Sequence, residues 1–295
     1  MSLESTVFVG SQAGLECFVC IGAIMKNNIE VLHQSRLANV FNVVGEGKTA
    51  VTLLTSVIWN DGKPRRTYLK MFSKSLALGV LNEITGYLLG KSCDLPLPSH
   101  AGIIQLPGGL LKNQDEFLPV AFVISEAPGR TPTTICQITD PITHTQLDSV
   151  MNMIRDWPKL NDTVAFDDWT ANTDRNLQNI VVDGPGRIFL IDHSNLPISP
   201  TWSAADLDAG AEYRNVLAVI LKIGQNGTLP QKRAIAVAAS QHTDAYNGVF
   251  DELKYWWDKF LSGDPSRRKA LEDFLRIRAD EGHNRISSNF YLMAV

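Results

Sequence analysis

The spacing of apolar residues changes character along the chain and sorts it into strand-rich and helix-rich stretches. From about residue 38 to 72 the pattern is that of strands. Phe41 to Val44 leads through Gly45-Glu46-Gly47-Lys48 into Thr49 to Trp59, which is loaded with Val, Thr, Leu and Ile. Asn60-Asp61-Gly62 is a turn signal, and Thr67 to Phe72 follows as a further strand, so three antiparallel strands joined by hairpins are expected. Over Leu76 to Leu89 apolar residues recur at Val80, Leu81, Ile84 and Leu88, the three-and-four spacing of an amphipathic helix. Asp94-Leu95-Pro96-Leu97-Pro98 stops it. A strand over Leu118 to Ser125 runs into Glu126-Ala127-Pro128-Gly129, whose loop-like composition marks a boundary between two lobes.

Beyond that boundary the periodicity is mainly helical, over 145–157, 205–223, 231–245, 247–262 and 265–280. Asp264-Pro265 is a strong helix start, with Asp as N-cap and Pro at the first helical position. One β interruption is expected, a hairpin of Asn179 to Val182 and Arg187 to Ile191 around Asp183-Gly184-Pro185-Gly186. The expected class is α+β, with a β-rich lobe over residues 1–126 and a helical lobe over 127–295.

Composition narrows the function classes. The 295 residues carry 27 Lys plus Arg against 31 Asp plus Glu, a formal charge of −4, which lacks the basic footprint of a dedicated nucleic-acid binder. The early apolar run from Cys17 to Met25 is far shorter than the ~20 residues of a spanning helix. The first Lys or Arg is Lys26, so a secretory signal is not expected either, and the chain reads as cytoplasmic without membrane attachment. Cys17 and Cys20 form a CxxC, but no second pair of Cys or His matches it, so these two, with Cys93 and Cys136, read as small buried hydrophobes. Phe250, Leu253, Trp256, Trp257 and Phe260 read as a core stripe. The Arg267 to Arg278 basic stretch, interleaved with Glu272 and Asp273, reads as a solvated helix face.

The chemistry concentrates in Thr173 to Asn179 and, after the hairpin, Ile191-Asp192-His193-Ser194. Taken singly, Asp174 and Asn179 would be turn or cap residues and Asp192 the start of a loop. Together, Asp174-x4-Asn179 and Asp192 supply what phosphoryl transfer needs. One carboxylate orients the attacking hydroxyl and accepts its proton, while a carboxylate and an amide oxygen hold magnesium against nucleotide phosphates. The hairpin folds Asp192 back beside Asn179.

The segment WTANTDRNLQNIVVDGPGRIFLIDHSN resembles the catalytic and metal-binding loops of HipA-like kinases, the serine/threonine kinases of bacterial toxin–antitoxin modules and their compact relatives. It is also similar to the catalytic loop of phosphoinositide kinases. The resemblance implies a two-lobed protein-kinase-like fold acting on ATP with magnesium, Asp174 as catalytic base, and Asn179 and Asp192 as metal ligands. In TYLKMF, Lys70 would reach the α and β phosphates, and Glu83 in LNEITGYLLG would pair with it. Gly45-x-Gly47-x-x-Ala50 would cover the phosphates, although a plain hairpin turn, or a covering loop at Gln34 to Asn39, remain open readings. Backbone groups around Ile124 to Ala127, with Glu126 at the hinge, would hold adenine.

The resemblance further implies a Ser or Thr hydroxyl of a protein as acceptor, this chain itself included, and an antitoxin-like regulator as partner. Two departures stand out. His193-Ser194 replaces the Phe-Gly that commonly follows the metal-binding Asp in protein kinases, and Asn176 stands where phosphoinositide kinases carry His. A small-molecule or lipid hydroxyl kinase, or a nucleotide-binding regulatory pseudokinase, are the alternatives to a protein kinase.

Overall fold

The computed structural model describes residues 28–46, 50–110, 113–139, 142–290 and 292; the Cys17/Cys20 pair, the apolar run 17–25 and Gly47 lie outside the described residues. Its N-terminal part is a six-stranded sheet and its C-terminal part is helix-rich, a mixed α+β architecture. The strands are β1 (Ile29–Leu32), β2 (Leu37–Glu46), β3 (Val51–Ile58), β4 (Pro64–Met71), β5 (Ala101–Gln105) and β6 (Val120–Ser125). Their spatial order is β1-β5-β6-β4-β3-β2. Three of them, β2 to β4, form the expected antiparallel meander. β1 joins the far edge parallel to β5, and β6 lies centrally between β5 and β4.

Alternation along β4 decides where its chemistry goes, because successive side chains of a strand point to opposite faces. Leu69 and Met71 enter an apolar cluster with Leu53, Val57, Trp59, Ile104 and Val123 on one face. Tyr68 and Lys70 therefore point to the other face, opposite Leu54 and Thr52 of β3 and Ile124 and Phe122 of β6. That face is covered by helix α1 (Leu78–Ser92), twelve of whose residues, Gly79 to Gly90, are buried. The helix expected to be amphipathic is instead buried on nearly every side, Asn82, Glu83 and Thr85 included, as befits an interior helix.

The remaining helices are α2 (Pro132–Ile135), α3 (His144–Arg155), α4 (Leu160–Trp169), α5 (Val216–Ile220), α6 (Ile223–Asn226), α7 (Leu229–Ala239), α8 (His242–Phe260), α9 (Pro265–Asp280) and α10 (Gly282–Asn289). α1 packs against α8, where Trp257 Nε1 donates to Thr85 Oγ1 at 3.0 Å. Glu252 of α8 also accepts from the backbone N–H groups of Asn28 and Ile29 at the start of β1. The sheet and the helical region are thus joined through α1 and α8. The Phe250 to Phe260 stripe is core, with Leu253, Trp256 and Trp257 buried. No helix among the described residues is long and apolar enough to cross a membrane.

The hairpin expected at 179–191 is present as β7 (Ile180–Gly184) and β8 (Arg187–Leu190). The helix expected over 205–223 is not. A single 3-10 turn at Ala204–Asp206, a loop, and the short α5 take its place. Asp208 accepts from Gly210 N, Asn215 caps α5 through Ala218 N, and buried Arg278 donates to the carbonyls of Ala209 and Ala211. The local bonds, with the tertiary ones from Arg278, satisfy backbone groups that a helix would otherwise satisfy internally. The helix expected from 247 starts at His242, and the one expected over 231–245 ends at Ala239.

Candidate functional site

Lys70 and Glu83 meet as the sequence implied. Lys70 Nζ lies 2.5 Å from Glu83 Oε1 and 3.1 Å from Asp192 Oδ1, so a strand, a helix and the segment after β8 converge on one cation. Burial alone would lower the Lys70 pKa, but the Asp192 and Glu83 carboxylates outweigh it and raise it. Burial pushes the Glu83 carboxyl up to about 7 against the opposing pull of Lys70. Asp192 is held well below the usual carboxylate range: burial opposes this, and Lys70 with the Ser194 hydrogen bonds outweighs burial.

Asp192 occupies the left-handed region at φ 60, uncommon for a non-glycine residue although Asp tolerates it. Ser194 holds it there, donating to Oδ1 from its hydroxyl at 2.8 Å and from its N–H at 3.3 Å. The left-handed turn sends His193 inward. Its backbone N–H donates to Glu83 Oε2 at 3.0 Å, and its ring is buried edge-on to Phe166. Neither ring nitrogen has a hydrogen-bond partner among the described residues, and burial drives the His193 pKa well below 6.5. Gly86 makes this possible, since a Cβ there would lie 2.4 Å from His193 Cβ. The residue that departs from the Phe-Gly pattern is therefore a packing residue that ties the Asp192 segment to α1.

Asp174 and Asn179 belong to the loop between α4 and β7. Asn179 Nδ2 donates to the Asp174 carbonyl at 2.7 Å and to its Oδ2 at 3.3 Å. Asn176 Nδ2 reaches Asp174 Oδ1 at 3.1 Å, and Asn195 Nδ2 reaches Oδ2 at 2.8 Å. Asn179 is brought beside Asp192 by the hairpin, whose ladder continues as Ile191 N to Asn179 O at 3.2 Å.

What anchors this loop is a buried side chain that local sequence pattern does not reveal. Arg175 is fully buried; it is ion-paired to Asp167 of α4 at 3.3 Å and donates to the carbonyls of Ile191 at 2.8 Å and Asn179 at 3.3 Å. One guanidinium thus fixes the Asp174 loop and the approach to Asp192 together. Burial raises the Asp167 carboxyl pKa, with Arg175 and Asn172 opposing. The signal of this anchor in the sequence is an Arg directly after Asp174, with an Asp eight positions before it. Asn195, three residues past Asp192, carries no local signal of its contact with Asp174 either.

Two oxygens at this site, Asn179 Oδ1 and Asp192 Oδ2, accept no hydrogen bond among the described residues. Hard, uncommitted oxygens of this kind suit magnesium, which keeps several waters and needs few protein ligands. No cluster of three or more His, Cys, Asp or Glu residues suited to a metal occurs among the described residues.

Ile124 is paired in the ladder with Tyr68 and Ala101, and Glu126 N donates to Arg66 O at 2.9 Å. The Glu126 carboxylate is taken by Arg66 Nε at 2.5 Å. No hydrogen bond among the described residues ends on the Glu126 carbonyl or starts from the Ala127 N–H. Gly45 lies in β2 opposite Thr52, and a 3-10 turn at Gln34–Arg36 precedes that strand. The exposed side chains of Val40, Phe41, Val43 and Val44 follow along β2. No protein-family model matches the chain. No curated protein matches it either.

Proposed function

We propose that this chain is an ATP- and magnesium-dependent kinase of the HipA-like type, built on a two-lobed protein-kinase-like fold, that transfers the γ-phosphoryl group to a Ser or Thr hydroxyl of a protein. The observation that carries the reading is the convergence of Lys70, Glu83 and Asp192 beside the hairpin that brings Asn179 to Asp192. A buried Lys held between two carboxylates has a fixed position and a permanent charge, which is what contact with the α and β phosphates requires. The free Glu126 carbonyl and Ala127 N–H offer one acceptor and one donor to the adenine edge. Tyr68 and Leu54 share the sheet face with Lys70 and supply apolar surface for the ring.

Asn179 Oδ1 and Asp192 Oδ2 would hold magnesium, which when bound neutralises phosphate charge. Asp174 orients the acceptor hydroxyl and takes its proton. The hydroxyl oxygen forms the new bond to the γ-phosphorus as the bond to the bridging oxygen breaks, and ADP leaves with that electron pair. Catalysis then rests on positioning and charge stabilisation.

The test is radiolabelled ATP with magnesium, added to the protein alone and with a proteome extract, beside calorimetric binding of Mg-ATP to wild type and Asp192→Asn. Label on protein hydroxyls, and loss of magnesium-dependent affinity in the folded variant, are expected. Label only on small molecules or lipid selects that acceptor class, nucleotide binding without transfer selects a regulatory pseudokinase, and absence of both binding and transfer refutes the kinase reading.

A further inference from the structure

We infer that Asn195 is a positioning residue for Asp174, coupling the carboxylate that receives the acceptor proton to the segment that carries Asp192; this rests on the kinase reading above. Asp174 Oδ2 accepts two amide N–H groups, from Asn179 at 3.3 Å and from Asn195 at 2.8 Å, and Oδ1 accepts one from Asn176 at 3.1 Å. Asn176 and Asn179 lie two and five residues further along the same loop, so they move with Asp174. Asn195 is 21 residues away and three past Asp192. It makes the shorter of the two contacts to Oδ2 and, among the described residues, is the one tie on this carboxylate from outside its own loop.

Its segment is itself well anchored. Leu196 N donates to His193 O, Ile198 N to Ala171 O, and Thr173 Oγ1 to Ile198 O, so residues 192–198 lie against 171–174. With Oδ2 engaged twice, Oδ1 keeps the freer lone pair for the acceptor hydroxyl. The Asn195 amide meets Oδ2 with its N–H side, as a donor. Aspartate at 195 would keep the shape and lose the donor, setting two carboxylates against each other.

A hydrogen bond to a charged group is worth enough that losing it from an orienting role should lower kcat about 10- to 100-fold. The experiment measures phosphoryl transfer from radiolabelled Mg-ATP to casein as probe acceptor and to the chain itself, for wild type, Asn195→Ala and Asn195→Asp. Both variants are also placed in an Asp174→Asn background, and melting temperature and Mg-ATP dissociation constant are recorded for each. Expected are a lowered kcat in Asn195→Ala with nearly unchanged Mg-ATP affinity, and Asn195→Asp no better than Ala despite its matching shape. In the Asp174→Asn background the further loss should vanish, because residues acting as a unit are non-additive. Near-normal kcat in a folded Asn195→Ala, rescue by Asp, or an equal loss in both backgrounds overturns the inference while leaving the kinase reading standing. A wild type that neither binds Mg-ATP nor transfers phosphoryl overturns both.

Discussion

Replacing Arg175 by Met should strongly destabilise the fold. Arg175 and Asp167 are both 0% exposed, so their contact is not screened by solvent. Without the guanidinium, the Asp167 carboxylate keeps, among the described residues, only the 2.9 Å bond from Asn172, and the carbonyls of Ile191 and Asn179 lose a donor. Removing one partner of a buried ion pair costs about 3–5 kcal/mol, because the other charge stays buried and uncompensated. Measured against the ~5–15 kcal/mol that typically separates folded from unfolded states, that loss is large.

The loss has a pH dependence of definite sign. Burial already raises the Asp167 pKa in the folded protein, and removing Arg175, which opposes that shift, raises it further. The folded variant then binds a proton that the unfolded chain gives up above a pKa of about 3.9. Its stability therefore falls as pH rises through this window, and the deficit relative to wild type is larger at pH 8 than at pH 5. Denaturant titrations followed by circular dichroism and by fluorescence at both pH values measure it. Arg175→Met combined with Asp167→Leu should recover part of the loss by removing the stranded charge. A single variant within about 1 kcal/mol of wild type, or a deficit independent of pH, would refute the argument.

Gly86→Ala should destabilise by about 1–3 kcal/mol through the clash with His193, despite the better helix propensity of Ala, and His193→Ala should relieve much of it; additive losses in the double variant would count against the contact. Lys70→Ala and Glu83→Ala should each impair ATP binding or its productive alignment, and turnover of the double variant should be little worse than that of Lys70→Ala alone, with fully multiplicative losses arguing against a functional pair. His242, stacked on Trp169 with its pKa lowered to about 3 by burial, stays neutral when folded but charges when unfolded below about pH 6.5, so it should remove about 2 kcal/mol of stability between pH 7 and 5. Chemical denaturation of His242→Phe at both values checks this: a pH slope equal to that of wild type would contradict it.

Much of this architecture was legible because local signals agreed with the tertiary outcome. The Asn60-Asp61-Gly62 turn, with Gly62 at φ 79, joins β3 to β4 as expected, and Asp264-Pro265 starts α9 with the Asp264 side chain accepting from Arg267 N. α4 went unread because it is buried on most sides, with Thr163, Val164, Ala165, Phe166 and Asp167 all inside, so it shows no amphipathic period. β1 and β5 are only four and five residues long, and their parallel pairing joins segments about 70 positions apart, which no local pattern encodes.

Taken by itself, the sequence determined the β2–β4 meander, the helix that follows it, the hairpin that returns Asp192 to Asn179, and the spacing that puts Glu83 on the helix after the Lys70 strand. These follow from short-range periodicity and turn chemistry, which act within a few residues. Tertiary structure alone decided that Lys70 is shared between Glu83 and Asp192, that Arg175 locks two loops from a fully buried position, and that His193 packs against Gly86. It also set Asn195 on Asp174 and kept 207–215 out of a helix by offering the Arg278 guanidinium to its carbonyls. Each depends on a partner beyond the reach of local periodicity, where burial removes competing water and makes one tertiary bond outweigh local propensity.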